Sequence, residues 1–268
     1  MSGVTLYLSE PFAQRALVAG VLVAITCGVV APFVVMRGLA FAVHGTSELA
    51  FTGAAAGLLL ADKPLLGALV GALIVAATIG ALGVRERERD AAIGVILAFG
   101  LGLGVYLLGR TRGFASAATN ILFGNIFGVG PGRLVALAVI AVVVVAVMLL
   151  LARPLLFASV DPEVARARGL PVRLLGVVFL LVLAFAVTAA AQVVGTLLVL
   201  SLAIAPAASA RCWSANPMVV IATSVAFALV AGVGGILGAL AIGTVTPSVL
   251  VTTISFVIYV GSRLRPRR

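Results

Sequence analysis

His44 and Glu48 are the residues whose types and spacing point most directly to chemistry. Four positions apart, they share one face of a helix, about 6 Å from each other along its axis. An imidazole nitrogen and a carboxylate oxygen form a donor set suited to zinc, manganese or ferrous iron. Two donors make no tight closed site, which suits a conduit, because an ion held too firmly does not leave. Two other readings fit the same spacing. The pair could satisfy itself by a local hydrogen bond, or relay protons through an imidazole that titrates near neutral pH. Gly45, Thr46, Ser47 and Thr52 add small and hydroxyl groups suited to close helix packing or to a wet lining.

The setting sharpens this reading. The chain has 268 residues, 63% hydrophobic and 10% charged, with 30 glycines and a mean hydropathy of +1.31. This is the composition of a membrane protein. A helix needs roughly 20 apolar residues to cross the hydrocarbon, so the chain holds about eight or nine spans and no separate catalytic domain. The predicted fold is an all-α, polytopic transmembrane bundle in which residues 1–268 form one domain. His44 is the only histidine, and Glu48 the only acid well inside a predicted span; Glu10, Asp62, Glu86, Glu88, Asp90, Asp161 and Glu163 fall in loops or at ends. An ionisable group at mid-depth costs roughly 3 kcal/mol on insertion scales, so such groups line water-filled paths or meet partners.

Several functions are excluded. A nucleotide-hydrolysing loop ends in Lys-Ser or Lys-Thr, whereas the only lysine, Lys63, precedes Pro64. Any ATP must be handled by another chain. Cys27 and Cys212 lie far apart and form no CxxC pair, so they read as apolar packing residues rather than ligands. The formal charge of +10 reflects topology signals in an apolar chain, not a nucleic-acid surface.

The apolar runs predict spans at Ala16–Met36, Leu39–Ala61, Leu65–Val84, Ala91–Gly109, Leu134–Ala152, Leu174–Ala190 and Val194–Ala210. Pro217–Val260 adds two more, divided near Gly243–Pro247. The count is nine, with eight as the nearest alternative. The first run lacks a small-residue cleavage site after a short core and reads as a retained span. The charged run from Arg85 to Asp90 reads as a loop, Arg153 to Arg173 as a polar connection, and Gly113 to Arg133 as a short interfacial or re-entrant helix. With nine spans, one side carries Arg37, Arg85, Arg87, Arg89, Arg153, Arg166, Arg168, Arg173, Arg211, Arg263, Arg265, Arg267 and Arg268, thirteen of the 18 basic residues. That side, with the carboxyl terminus, is expected in the cytoplasm, and the amino terminus outside.

Residues 161–171 predict a short helix between spans. Asp161 caps it, Pro162 suits its first position and Glu163 complements its dipole; Gly169 closes it and Pro171 prevents a restart. Arg166 and Arg168 lie on its basic face. It is either a capped loop helix whose arginines set topology, or a rod that docks into a cytoplasmic motor and transmits rigid-body motion. Pro206, inside the seventh predicted span, is expected to kink it, either as a static bend or as a hinge.

Taken in order, Phe33–Arg37, His44–Gly53, Asp90–Gly94, Leu122–Asn125, Asp161–Gly169 and Val194–Leu198 through Pro206–Ala208 resemble the membrane permease of bacterial ABC importers for divalent metals. The resemblance implies a multi-pass protein of the bacterial inner membrane with no resident cofactor. It implies a second permease copy forming a homodimer, a cytoplasmic ATP-binding cassette ATPase that uses the ATP, and an extracytoplasmic metal-binding protein. It makes residues 161–169 the coupling element and zinc, manganese or iron the transported substrate. In the family the second span carries an aspartate and, four residues later, a histidine proposed to bind metal in transit. Here the matching positions hold His44 and Glu48, so the nitrogen and oxygen donors keep their places with their order exchanged, and Gly53 matches the glycine that follows. The rival functions are a proton-coupled secondary transporter using the same pair, and a membrane scaffold that transports nothing.

Overall fold

The computed structural model describes residues 10–82, 86–111 and 114–264. Among them there are helices and turns and no strands. Six helices are long and apolar enough to cross a membrane. These are α1 (Pro11–Met36), the Asp90–Gly109 part of α4 (Glu86–Gly109), α6 (Pro131–Val160), α8 (Val172–Val194), α11 (Pro217–Ile242) and α12 (Pro247–Leu264). Between them lie α2 (Ala40–Ala61), α3 (Pro64–Leu82), α5 (Phe114–Phe123), α7 (Pro162–Ala167), α9 (Val199–Ala203) and α10 (Ala205–Ala210).

α1 runs through the middle, packed on α6, α8 and α11. α2 lies against α3 and α4, and α3 in turn against α8. The α2–α3 crossing is drawn close by glycine: a Cβ on Gly53 would collide with the Gly67 carbonyl oxygen, and one on Gly67 with that of Gly53. Small residues at such a crossing let two backbones approach and gain dispersion contacts that lipid cannot supply.

Hydrogen bonds and ring contacts sort the helix ends. At one end Arg37, at the α1–α2 turn, donates from Nε to Ser159 Oγ (3.0 Å) and lies over the Phe179 ring, 5.4 Å from its centroid. Its burial lowers the guanidinium pKa from the ordinary value. At the other end the α1 residue Phe12 meets Phe127 edge-on at 5.9 Å, and Ser248, at the start of α12, donates to the Phe123 carbonyl (2.6 Å).

The structure departs from the sequence reading in three places. Helix α4 begins at Glu86, so most of the charged run is helical rather than loop; Arg85 lies outside the described residues. Acidic residues suit the positive end of a helix, which allows the helix to start before the apolar stretch does. Helix α6 continues through Arg153 and Pro154 to Val160, about 45 Å in all, so the first eight residues of the expected polar connection are an extension of this helix.

The third departure concerns Val194–Ala210, which is no continuous span. The helix stops at Gly195 (φ 93°, ψ 156°), resumes as the five-residue α9, breaks at Ile204 (φ −129°, ψ −51°), and resumes as α10. Its amides turn to a neighbour instead: Thr196 and Leu197 N–H donate to the Ile121 and Leu122 carbonyls, both 3.2 Å. Further along, Thr252 Oγ1 donates to Ser201 Oγ (3.3 Å) and Trp213 Nε1 to Ser262 Oγ (3.1 Å). Ser248, Thr252 and Ser262 follow one another down α12, so the interrupted segment runs alongside it from one end of the bundle to the other. Pro206 therefore sits in the first turn of α10, not in a helix interior, and its missing N–H breaks no helical bond there.

Candidate functional site

Helix α2 carries the polar pair because its remaining residues commit it to the core. Thr46 and Ser47 point their hydroxyls at their own helix, to the Ala42 (2.7 Å) and His44 (2.9 Å) carbonyls. Thr52 donates to the carbonyls of Glu48 (3.1 Å) and of Gly100 on α4 (2.5 Å). These hydroxyls are spent on backbone acceptors and do not serve the pair.

Glu48 is 4% exposed, and its Oε2 has no hydrogen-bond partner. His44 is half-buried, and its Nδ1 is buried and likewise without a partner. These two atoms do not bond each other, and an unpaired buried polar group costs roughly 1–3 kcal/mol. His44 lines an apolar groove of about 540 Å³. Ala40 and Phe41 of α2 border it, Leu200, Ser201, Ile204, Ala205 and Ala208 of the interrupted segment face them, and Tyr259 of α12 completes it. Tyr259 and Ser201 escaped the sequence reading, because only the fold brings α12 and the interrupted segment to α2.

Among the described residues, no three of His, Cys, Asp and Glu gather closely enough to hold a metal ion. Cys27 is buried and Cys212 partly so, both free, in keeping with their reading as packing residues.

The helix expected at 161–169 is present as α7. Asp161 Oδ1 accepts from the Glu163 and Val164 amides (3.1 and 3.0 Å), Pro162 opens the helix, and Gly169 (φ 81°) lets the chain leave it. Ala165 is fully buried against the bundle while Arg166 and Arg168 are exposed. The short helix is thus anchored by one residue and presents its basic residues outward, at the same end as Arg37.

A sequence profile of the ABC 3 transport family matches residues 9–265. The chain belongs to this family. This ABC 3 chain is 31% identical over 241 residues to the manganese transport system membrane protein MntC of Halalkalibacterium halodurans, covering 88% of this chain and 82% of that one. It is 31% identical over 225 residues to the chelated iron transport system membrane protein YfeD of Yersinia pestis, covering 81% and 75%. Its fold superposes on PsaBC from Streptococcus pneumoniae, solved in complex with Fab, with a TM-score of 0.89 and 26% identity, over 98% of this chain and 96% of that one. The ABC 3 chain is accordingly a membrane-embedded, multi-pass transport subunit for metal, and ATP hydrolysis belongs to a separate chain.

Proposed function

We propose that the protein is the permease of an ATP-driven importer that moves a divalent cation (zinc, manganese or ferrous iron) into the cytoplasm, with residues 1–268 acting as one transmembrane domain. The observation that carries this is the orphaned, buried Nδ1 of His44, a residue that lines an open groove, and the orphaned Oε2 of Glu48 one helical turn on, in a chain of a metal-transport family. Two copies joined as a homodimer across that groove would contribute two imidazoles and two carboxylates. Four such donors match what zinc and similar ions accept, and an incomplete set on each copy lets the ion be released when the copies part. The mixed N/O set serves manganese and iron as well, in keeping with relatives named for both metals.

Nine crossings fit the geometry. α2, 22 residues long, is polar enough at His44 and Glu48 to fall below a span's usual hydropathy, and α3 is a shorter apolar helix. Adding both, and the interrupted Val194–Ala210 segment, raises the six apolar spans to nine. The arginine-rich end bearing α7 and the carboxyl terminus then faces the cytoplasm, and the amino terminus lies outside, in the bacterial inner membrane. α7, with Asp161 to Gly169, would be the element on which a cassette ATPase pushes, and an extracytoplasmic metal-binding protein would deliver the ion at the opposite end.

Reconstituted with its ATPase in proteoliposomes, His44→Ala or Glu48→Ala is expected to lower ATP-dependent metal flux by about tenfold or more while the thermal melt is retained. Wild-type flux from either variant at equal protein levels would remove the pair from the path. Flux without ATP that vanishes with the proton gradient would instead favour the secondary-transporter reading.

A further inference from the structure

At the end of the bundle that carries Lys63, a second cavity of about 380 Å³ opens between α2, α3, α5 and α8. Its polar lining is Ser116, Asn120, Asn125, Arg133, Gln192 and Thr196, with no carboxylate, histidine or thiol. It is separate from the His44 groove. On α2 it is bordered by Ala50 and Ala54, on a stripe roughly 120° around the helix from His44 and Glu48.

Thr196 forms part of the lining. It is 2% exposed, and its Oγ1 has no hydrogen-bond partner. A buried threonine usually returns its hydroxyl to the carbonyl one helical turn back. Thr196 stands past the helix end at Gly195, outside any such turn, and its N–H is taken by Ile121. Gly195 and Gly124 (φ 77°) set this wall tightly, since a Cβ on either would strike the other's backbone. Thr196 is therefore held in place by its backbone, in the wall of a space that Arg133 also lines, and no carboxylate is among the described residues lining it.

Such a lining repels a dication. Arg133 contributes a full positive charge, the amides of Asn120, Asn125 and Gln192 carry N–H donors, and no anionic side chain is among the described lining residues. We infer that this cavity is a binding site for a carboxylate-bearing anion, with the Arg133 fork and the Thr196 hydroxyl as its chief donors. A guanidinium meets a carboxylate by two parallel charge-assisted hydrogen bonds, and the surrounding amides and hydroxyls suit its remaining lone pairs. The carboxylate belongs either to a free small anion of about the size of citrate or to an acidic side chain of a protein docking at this end.

The test uses full-length permease in detergent, in metal-free buffer at constant ionic strength. Citrate and a glutamate-rich peptide are titrated separately while the melting temperature is read. A saturable rise with citrate identifies the free anion, and one with the peptide alone identifies the side chain. For whichever ligand responds, Arg133→Gln is expected to weaken apparent affinity about tenfold, and Thr196→Val about threefold, with Thr196→Ser close to wild type. Should Arg133→Gln fail to fold, the Val and Ser pair carries the comparison. The proposal is overturned if neither ligand gives a saturable response, if the response is the same in every folded variant, or if inorganic phosphate binds more tightly than both. None of these readouts involves metal flux, so failure here leaves the role of His44 and Glu48 standing.

Discussion

The His44 groove has two walls built in opposite ways. α2 is an unbroken helix whose hydroxyls are returned to backbone carbonyls and whose glycines lock it against α3. The wall facing it, Val194 to Arg211, is broken at Gly195 and again at Ile204, and is held by hydrogen bonds to α5 and α12. The difference divides the labour. An unbroken helix keeps His44 and Glu48 at a fixed spacing, while a segment that has given up part of its ladder can be repositioned at lower cost. Non-helical backbone at membrane depth is tolerated only when protein or a wet cavity satisfies it, and here the Ile121 and Leu122 carbonyls accept from two of the freed amides.

The largest effect should come from prying the rigid wall loose. Gly53→Leu drives a branched side chain into the backbone of α3 at Gly67, where no flexible neighbour can yield. We expect a loss of about 3 kcal/mol, or failure to accumulate folded protein, read by denaturant or thermal unfolding in detergent. A normal melt would mean that the close approach of α2 and α3 does not hold the wall.

Most of the bundle was legible in the sequence because uninterrupted apolar runs predict helices directly. α1, α4, α8, α11 and α12 lie where those runs fall. Helix ends were less legible, since hydropathy marks the lipid boundary, whereas the hydrogen-bond ladder runs on into water; α6 therefore outlasts its apolar core by a full turn and more past Pro154. The interruption at Gly195 and Ile204 was not legible, because Val199–Ala203 taken together is as apolar as a span requires and the break is set by backbone angles and by distant partners on α5. His44 and Glu48 stood out as ionisable groups in an oily run. The groove beside them did not, since Ser201 and Tyr259 lie far away in sequence. Asn120 and Asn125 argued against a span at 113–133, yet nothing in their spacing joined them to Gln192 and Thr196.

A middle-sized effect belongs to the first break in the second wall. Gly195 holds φ 93° and ψ 156°, a region open essentially to glycine alone, and a Cβ there would meet the Leu122 carbonyl and the Gly124 amide. Gly195→Ala is expected to cost about 2 kcal/mol and to disturb the outer cavity along with the groove, because the strand of backbone between them is shared. Equal melting temperatures for variant and wild type would count against a fixed break at this position.

Pro206 should give the smallest effect, and it separates a static bend from a moving one. In a helix interior its replacement by alanine would restore a lost hydrogen bond and stiffen the segment. In the first turn of α10 there is no such bond to restore, and the break lies two residues earlier, at Ile204. Pro206→Ala is therefore expected to change stability by less than about 1 kcal/mol and to leave ATP-dependent flux within about twofold of wild type. A marked fall in flux at an unchanged melt would mean that the proline's fixed φ limits the motion of this wall, making it the hinge and α2 the stator. An unchanged flux leaves Ile204, whose dihedral angles belong to no regular helix, as the point where the second wall bends.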